Sequence, residues 1–527
     1  MKFLFVMSYS GYVRNNEPTL RALAERGHHV TLGFNKGPRD DNDRLADELV
    51  ATYPSIVSCP MPSRHDEWAP VLSFFRACMD YLRYFHPAYD NAPALRERSE
   101  KRLPRFVQAV FARLGLRSSN TRRHRLHRAL AAIETAIPTD PKIDGVLRSE
   151  APDALIVTPL VNFNSPQTDW VKSAKALGIP SCLAVFSWDN LTNKGHIRII
   201  PDRLTVWNPL QADEAVKFHG VDRDSIQITG AQCFDKWFNR VPALDRQTFL
   251  SPTGLDPQAP YILYLCSSPF VGGPGEAGFV HDWLEALRLS PDPAAHKVSV
   301  MVRPHPQNAH IWDSVDLSHL GAVTIFPTAG ANPVNKKRQD EYFHSIHFSS
   351  AVVGINTSAM VESGIVGRPV ITIKDPRFTH TQEGTLHFHH LVRSGLVHVA
   401  QNIEASQALI VAALKGELFD QTRSDEFLTT FIRPHGLGVA ATPLCVEAFE
   451  ELATLKVAAQ KKRLLRDGLI RAAVWPMRYP IALMEGGRKK RKTPRSRLTG
   501  PLPPAEKNSY HCDIAPHHPL AAIPNYA

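Results

Sequence analysis

The sequence predicts an α/β protein with two doubly wound parallel-sheet domains that face a cleft, a helical insertion and a basic C-terminal tail. Its 527 residues exceed what one hydrophobic core usually organises, which favours two domains. Short apolar runs alternate with helix-like segments in both halves of the chain, the pattern of parallel strands covered by helices. Basic, mostly helix-like segments interrupt this alternation at residues 66–135 and beyond residue 455.

The first predicted element is a buried strand at the N-terminus. The apolar run from Lys2 to Met7 suits a strand that is covered on both faces. Glu17-Pro18 carries two helix-start signals, an acid near the N-terminus and a proline in the first turn, so we expect a helix from there to Gly27. The chain then returns as a strand over His28 to Phe34. This strand-helix-strand unit is the repeating unit of parallel sheets.

The alternation resumes after residue 153 and completes the first domain. Residues 66–135 are mostly helix-like and basic, and we interpret them as an insertion. The elements after the insertion are strands at 154–157, 181–186, 204–207 and 226–229, and helices at 167–177 and 211–219. We place the first domain at residues 1–240.

A second series of strand and helix signals follows a stretch rich in proline and polar residues, which indicates a domain linker. Strands are predicted at 261–266, 298–302, 323–326, 351–354 and 370–373, and helices at 276–289, 338–346 and 358–366. We place the second domain at residues 258–455. Residues 456–527 form the tail, with an amphipathic helix that Trp475-Pro476 ends and a Gly- and Pro-containing basic stretch at 486–504 that we expect to be disordered.

Positive charge is concentrated in two segments. The chain carries a formal net charge of +10, yet residues 96–128 hold eleven Lys or Arg against two acids, and residues 456–497 hold fourteen against two. Such segments attract phosphate-bearing lipids or nucleic acid, unless they are simply solvated helix faces. No aromatic-rich RNA motif accompanies them, so nucleic acid is the weaker alternative.

Cysteine usage and hydropathy predict a cytoplasmic location. The seven cysteines are scattered, without the Cys-x-x-Cys spacing of a zinc site or a disulfide scaffold. No uncharged apolar run approaches the ~18 residues of a membrane span, and the apolar run at the N-terminus is too short for a signal peptide. Peripheral association with the inner face of an anionic membrane, through the tail helix and Trp475, is a further hypothesis.

The strongest candidate site lies between a predicted strand and a short helix, at residues 354–371. The strand ends in Asn356-Thr357-Ser358, and the free N–H groups at the helix start suit an anion such as a diphosphate. The hydroxyls of Thr357 and Ser358 are expected to add donors and an N-cap. Glu362, about one turn into the helix, is placed to accept both hydroxyls of a ribose. The alternative is an ordinary capped helix between two strands.

Two further candidates follow predicted strands of the second domain, at the edge where open α/β sheets bind ligands. Arg303 offers a two-pronged phosphate contact, and His305, flanked by prolines, offers a donor to a leaving phosphate. Ser267 and Ser268 open a glycine-containing loop that can wrap a phosphate. A rigid Pro-x-Pro turn and an ordinary surface loop are the respective alternatives.

The segment 380–390 is rich in histidine. We interpret it as a loop that lines the cleft and contacts the sugar or the base, with Gln382, Glu383 and Gly384 as donor-binding residues. His387 and His390 have a spacing that suits a metal, but no cysteine or acid completes an evident ligand set, so we expect no metal.

Asp189 is the candidate general base. It follows a predicted strand of the first domain, where a carboxylate can deprotonate an acceptor hydroxyl. Glu17 and Asn16, near the first loop, are rivals for this role. The alternative for Asp189 is a helix-capping residue beside a core tryptophan.

Several of these strings resemble those of the GT-B superfamily of glycosyltransferases. The string Asn356-Thr357-Ser358, with Glu362 and Gly367-Arg368-Pro369-Val370, is similar to the donor-nucleotide motif of that family, in which a polar turn binds phosphate and a glutamate binds ribose. Arg303-Pro304-His305-Pro306 resembles an element of bacterial glycerophosphotransferase-like and surface-polysaccharide transferases. Phe186 to Gly195 and Thr229 to Asp235 resemble strings of surface-carbohydrate biosynthesis proteins. Ile355 stands where many retaining members carry the first of two acids, so the stereochemical outcome stays open.

The resemblance implies two Rossmann-like domains and a metal-independent glycosyltransferase, with the donor site in the second domain and the acceptor on the first. Its co-substrate is a nucleotide sugar, without a bound cofactor, and its acceptor is a carbohydrate or a polyprenyl-phosphate-linked molecule of surface-polysaccharide biosynthesis. A CDP-glycerol-type glycerophosphotransferase, a sugar-nucleotide epimerase and a non-catalytic membrane-associated scaffold are the alternatives.

Overall fold

Two parallel sheets organise the protein. The computed structural model describes residues 1–35, 44–328, 330, 335–460 and 464–491, and within them seven strands form one sheet and six form the other. The first sheet contains β1 (Lys2–Met7), β2 (His29–Phe34), β3 (Ile56–Pro60), β4 (Ala154–Thr158), β5 (Ser181–Ala184), β6 (Arg203–Val206) and β7 (Ile226–Ile228). The second contains β8 (Tyr261–Leu265), β9 (Ser299–Arg303), β10 (Val323–Ile325), β11 (Ala351–Gly354), β12 (Val370–Ile373) and β13 (Val397–Ala400).

The strand order has the doubly wound form in both sheets. It is β3-β2-β1-β4-β5-β6-β7 in the first and β10-β9-β8-β11-β12-β13 in the second, with every pair parallel. The order reverses beside β1 and beside β8, and such switch points open a crevice at the carboxyl ends of the strands. The predicted fold class of two doubly wound parallel sheets is confirmed.

Helices cover the sheets and form the insertion. In the first half they are α1 (Val13–Glu25), α2 (Arg44–Thr52), α3 (Ala69–Arg83), α4 (Pro93–Glu100), α5 (Arg105–Arg113), α6 (Asn120–Ala136), α7 (Pro141–Glu150), α8 (Gln167–Leu177), α9 (Asn190–Asn193) and α10 (Pro209–His219). The second half contains α11 (Arg246–Leu250), α12 (Gly275–Arg288), α13 (Pro293–Lys297), α14 (Lys336–His347), α15 (Ala359–Ile365), α16 (Leu386–Arg393), α17 (Ile403–Leu414), α18 (Gln421–Phe427), α19 (Ala441–Thr454), α20 (Leu464–Val474) and α21 (Arg478–Arg491).

Apolar strands form the two cores. All five residues of β8 and all five of β4 are buried, as expected for strands that helices cover on both faces. A fully buried Leu or Ile side chain contributes about 2 kcal/mol relative to an exposed one. These central strands therefore supply much of the free energy that holds the strand ends, and the loops after them, in place.

The first helix begins earlier than predicted. It starts at Val13, so Pro18 lies inside it rather than in its first turn. Proline has no N–H, so the helix lacks the hydrogen bond to the carbonyl of Arg14, whose side chain is exposed. The apolar face, with Val13, Leu20 and Leu23 buried, outweighs this loss.

A buried ionic network attaches the insertion to the first sheet. Arg76 on α3 pairs with Glu134 on α6 and with Asp169 on α8, each at 2.8 Å. Lys172 on α8 adds a contact of 3.4 Å to Glu134. The insertion, predicted to be mostly helical, contains α3 to α6, and this network holds α3 and α6 against α8.

The helix α19 crosses back to the first sheet. Its Cys445, Val446 and Phe449 are buried in one core with β1, and the Phe449 ring lies 5.7 Å from that of Phe5. The predicted second domain of 258–455 includes this helix, whose buried face packs on the first sheet. The division into 1–240, 258–455 and 456–527 stays a prediction.

The tail helices pack against the insertion. The ring of Trp475 lies 4.9 Å from that of Trp68, and Arg478 covers it on another side at 3.4 Å. Trp475 is therefore half-buried against the insertion, and its role as a membrane anchor of the tail stays a prediction. The helix α21 continues to Arg491 through part of the stretch predicted to be disordered, and the rest of that stretch lies outside the described residues. Among the described helices, none is both long and apolar enough to span a membrane.

Candidate active site

A cavity of about 210 Å³ lies between the two sheets. The loops that follow β5, β8, β9 and β11 line it, together with Lys194 and one residue each from α4, α9 and α16. Six of the predicted site residues are in its wall: Asp189, Ser268, His305, Asn356, Thr357 and Ser358. The cavity therefore lies where two doubly wound sheets are expected to bind a ligand, at the carboxyl ends of their strands.

The turn after β11 opens on this cavity. Ser358 is exposed, Thr357 is half-buried, and the buried Asn356 points its amide nitrogen at Thr385 Oγ1 and His387 Nε2, at 3.4 Å each. Ser358 makes no side-chain capping hydrogen bond, contrary to the predicted N-cap, and the Thr357 hydroxyl accepts from the Ala359 N–H at 3.5 Å instead. The Ser358 hydroxyl is therefore free of a capping role.

His305 contributes a neutral imidazole. Burial, with a smaller effect of Arg14, lowers the pKa of His305 to about 4. Its Nδ1 accepts from the Gln307 N–H at 3.2 Å, which assigns the ring proton to Nε2. At neutral pH this side chain can therefore donate a hydrogen bond without carrying charge.

Asp189 is held as a carboxylate. Burial raises its pKa, but Lys194 at 3.4 Å, His387 and the Ser187 hydroxyl at 2.7 Å lower it further, and the pKa of Asp189 is about 2. The carboxylate is thus ionised at every physiological pH. It forms an ion pair with Lys194, and both residues are in the cavity wall.

The rivals of Asp189 are turned away from the cavity. Glu17 pairs with Arg21 at 3.1 Å and with Lys236 at 3.2 Å. Asn16 is buried and donates to the carbonyl of Tyr12. Neither residue is in the cavity wall, so Asp189 is the better placed of the three candidates.

Arg303 and Ser267 do not line the cavity, contrary to prediction. Arg303 is buried, pairs with Glu341 at 3.2 Å and lies over the Tyr342 ring. Ser267 is fully buried, and its N–H donates to the Glu276 carboxylate at 2.8 Å. Both residues are therefore buried in the layer of side chains beneath the cavity wall.

Glu276 stabilises the loop after β8 from inside the core. It is fully buried and also accepts a hydrogen bond from the Tyr264 hydroxyl at 3.3 Å. Burial raises the pKa of Glu276 to about 7 against the opposing effect of these donors. The carboxyl group therefore fixes the position from which Ser268 and Phe270 reach the cavity.

Glu362 lies beside the cavity rather than in its wall. The Tyr342 hydroxyl donates a short hydrogen bond to it. Burial raises the pKa of Glu362, and Tyr342, Arg14 and Lys236 oppose that rise. Arg14 affects the pKa of both Glu362 and His305, so its charge acts on both side chains.

The three predicted donor contacts at 382–384 are not in the wall of this cavity, and their contact with a donor stays a prediction. Gln382 is fully buried, and its amide donates to Ile355 O, Thr372 Oγ1 and Ile373 O. Glu383 pairs with Lys374 at 2.6 Å, and Gly384 is buried against the backbone of His380. The amide of Gln382 ties the ends of β11 and β12 together, which is a structural role.

The histidine-rich segment reaches the cavity through His387. Its Nδ1 lies 2.8 Å from the Asn193 amide nitrogen, and its ring packs edge-on to Trp188 at 4.5 Å. Burial lowers the pKa of His387 to about 3, with Asp189 opposing. The prediction of a cleft-lining segment thus applies to this residue.

Two cationic residues of the wall were not predicted. Lys194 pairs with Asp189, and Arg98 comes from α4 of the insertion. Arg98 lies over Phe270 of the second half at 4.4 Å and over Phe163 of the first half at 5.3 Å. The only sequence signal for Arg98 is its place in a basic segment, which does not single out one arginine.

One three-residue group among the described residues has metal-ligand geometry, and it lies outside the cavity wall. It consists of His281, Asp282 and Glu285 on α12, and its acids are exposed. Asp282 is engaged by Arg377 at 2.7 Å. Within the described part of the chain the segment 380–390 forms no such group, and metal independence stays a prediction.

Comparisons with known proteins identify the fold. No family model and no curated protein matches the chain. A structure from Listeria monocytogenes, described provisionally as a UDP-N-acetylglucosamine 2-epimerase, is 12% identical, with a TM-score of 0.50 over 88% of this chain and 99% of its own. A glycosyltransferase from Rickettsia africae is 11% identical, with a TM-score of 0.50 over 86% of this chain and 98% of its own. The chain has the GT-B fold.

Proposed function

We propose that this protein is a glycosyltransferase that moves a sugar from a nucleotide-sugar donor to a surface-polysaccharide or lipid-linked acceptor. The observation that carries the proposal is the cavity between the carboxyl ends of the two sheets, where cationic, hydroxyl and imidazole groups from both halves converge. Such a set suits a diphosphate whose charge grows as it leaves. The glycosyltransferase from Rickettsia africae, with the same fold, supports this class of reaction.

The diphosphate is proposed to lie against Ser358, His305 and the two cationic side chains. Arg98 and Lys194 replace Arg303 as the source of positive charge, because Arg303 is buried behind the wall. His305 donates from Nε2 to a phosphate oxygen. Glu362 is retained as the ribose contact, which requires the nucleoside to lie along the cleft towards Arg14.

Transfer is proposed to follow a single displacement or its retaining counterpart. The acceptor oxygen forms a bond to the anomeric carbon, the bond from that carbon to the phosphate oxygen breaks, and the nucleoside diphosphate leaves with the electron pair. The acceptor proton passes to the Asp189 carboxylate. A carboxylate with a pKa of about 2 is a weak base, so it takes the proton as the new bond forms rather than before.

Nucleotide binding by cavity variants tests the proposal. We expect UDP, GDP, CDP or dTDP, or one of their sugars, to raise the melting temperature of the wild-type protein. Loss of a charged hydrogen bond costs about 1.5–3 kcal/mol, so Arg98→Gln and Lys194→Gln should each weaken titrated nucleotide affinity about ten- to a hundredfold. Arg102→Gln is the matched control, because Arg102 stacks on the same Phe163 ring outside the cavity wall.

The outcomes separate the alternatives. No shift with any nucleotide would favour the non-catalytic scaffold. A shift with CDP-glycerol alone would favour glycerophosphate transfer. Nucleotide binding that Arg98→Gln and Lys194→Gln leave unchanged would place the site outside this cavity.

A sugar-nucleotide epimerase is the second candidate, and the fold shared with the Listeria monocytogenes protein favours it. An epimerase converts its nucleotide sugar without an acceptor and releases no free nucleotide. A transferase releases the nucleoside diphosphate when an acceptor is supplied. Incubating UDP-N-acetylglucosamine with the protein alone, and separating the products by chromatography, therefore distinguishes the two: accumulation of the epimer would replace the transferase proposal.

A further inference from the structure

Helix α5 of the insertion presents apolar side chains to solvent. Phe106, Val110 and Leu114, at or just beyond the helix and four residues apart, are 57%, 50% and 39% exposed. The adjoining face, with Val107 and Phe111, is buried, and the Phe111 ring packs 5.2 Å from that of Tyr81 on α3. The exposed residues therefore form a stripe on a helix whose orientation the core fixes, and such a stripe marks a contact surface.

The charge around this stripe has one sign. From Lys101 to Ile133 the chain holds nine Lys or Arg and no Asp or Glu. Arg105, Arg113 and Arg117 are exposed, and none of them forms an ion pair with any acid that the structure describes. Exposed arginines beside exposed apolar side chains are the combination that binds the boundary between lipid headgroups and acyl chains.

We propose that this α5 face, formed by Phe106, Val110, Leu114, Arg105, Arg113 and Arg117, docks the protein on an anionic lipid bilayer. The apolar side chains enter the headgroup region, and the arginines pair with lipid phosphates. Nucleic acid would satisfy the arginines but leave Val110 and Leu114 without an apolar partner. The C-terminal segment 488–497 is a poor cover for this face, because it holds seven Lys or Arg and no acid and is repelled by it.

The docking face is close in sequence to the cavity. Residues 101–104 alone separate α5 from α4, whose Arg98 is in the cavity wall. A bilayer bound at α5 would therefore lie near the first-half side of the cleft, which suits a membrane-embedded acceptor if the proposed function holds. Docking itself does not depend on that function.

Vesicle co-sedimentation with the full-length protein tests the inference. We expect binding to vesicles of phosphatidylcholine mixed with phosphatidylglycerol, and none to phosphatidylcholine alone. Replacing Phe106, Val110 and Leu114 together by Gln should lower the partition coefficient by about tenfold or more, because binding scales with buried apolar area. Arg113→Gln and Arg117→Gln should each lower it about fivefold at low salt.

The control replaces two apolar residues that are even more exposed and lie outside the basic segment. Val241 and Leu289 are 78% and 83% exposed, and Val241→Gln with Leu289→Gln should leave vesicle binding unchanged. Melting curves confirm that all variants fold.

Three results would overturn the inference. They are absence of vesicle binding by the wild-type protein, an unchanged partition coefficient for the triple Gln variant, and binding of an RNA oligonucleotide that displaces the vesicles. None of them alters the nucleotide titrations above, and a failure of nucleotide binding leaves vesicle binding untouched, so the two proposals fail separately.

Discussion

At the residue scale, the ion pair of Asp189 and Lys194 sets the basicity of the carboxylate in the cavity wall. The carboxylate is ionised because Lys194 and His387 outweigh its burial. In the proposed transfer it is ready to accept a proton, but its low basicity limits that step to the moment when the acceptor oxygen bonds to carbon. Lys194 balances this charge and stays available to a phosphate on the other side.

Asp189→Asn tests this assignment. Removing a general base typically costs about 10²–10⁴ in rate, so we expect kcat to fall by that factor while nucleotide affinity changes little. The measurement is steady-state transfer with titrated donor. Asp213→Asn, at an exposed acid paired with Arg223, is the control. Full activity of Asp189→Asn would return the role to another group.

The buried histidines make stability depend on pH. The pKa of His387 is lowered to about 3 from its ordinary 6.5. Between these two pH values, His387 binds a proton in the unfolded chain but not in the folded chain. The stability is fully present above pH 6.5 and falls as the pH drops towards 3, by up to about 1.4 kcal/mol per pH unit for each such group.

We expect His387→Gln to flatten this loss. The free energy of unfolding can be measured by urea denaturation between pH 7.5 and pH 5. Its slope with pH should be smaller than in the wild-type protein by the contribution of about one bound proton. His310→Gln, at an exposed histidine, is the control and should leave the slope unchanged. An unaltered slope in His387→Gln would mean that the imidazole is not held neutral.

The sequence predicted those site residues that come directly after a strand. Ser268, His305 and Asn356 lie just beyond the ends of β8, β9 and β11, and the edge of a parallel sheet brings such positions together. Arg303 is the last residue of β9 itself, so the strand turns its side chain to the core. Arg98 could not be predicted from the sequence, because only the packing of the insertion brings it to the cavity.

At the element scale, buried ion pairs join the insertion helices α3 and α6 to α8, which covers the first sheet. The network of Arg76, Glu134 and Asp169 is buried, and breaking such a pair leaves uncompensated charges in the core. Arg76→Met should therefore lower the free energy of unfolding by about 3–5 kcal/mol. Arg125→Met, at an exposed position of α6, is the control and should cost little. Equal melting temperatures for both variants would show that the network does not hold the insertion.

The central strands could be predicted from apolar runs, and two of the four edge strands could not. The strands β4, β11 and β12 lie within one residue of their predicted bounds, because continuous apolar runs identify buried strands. The edge strands β3 and β13 gave no such signal: β3 has one buried residue, and β13 is interrupted by His398. The return of α19 to the first sheet depends on a tertiary contact that no local pattern carries.

At the scale of the whole molecule, the cavity is small for the ligand proposed for it. Its volume of about 210 Å³ is below the ~300–1,000 Å³ of most ligand pockets. For a complete nucleotide sugar we therefore expect the two lobes to separate on entry and close again, which would also exclude water during the proposed transfer. Arg98, which touches aromatic rings of both halves, forms one of the contacts that such a movement must break.

Hydrogen exchange with a bound nucleotide sugar tests the central claim most directly. The claim is that the turn after β11 grips the diphosphate of a donor in the cleft. With a donor that raises the melting temperature at saturation, mass spectrometry should show slowed amide exchange in peptides covering 266–273 and 354–362 and in the Arg98 segment. Slowed exchange confined to other parts of the chain, with these peptides unchanged, would contradict the account.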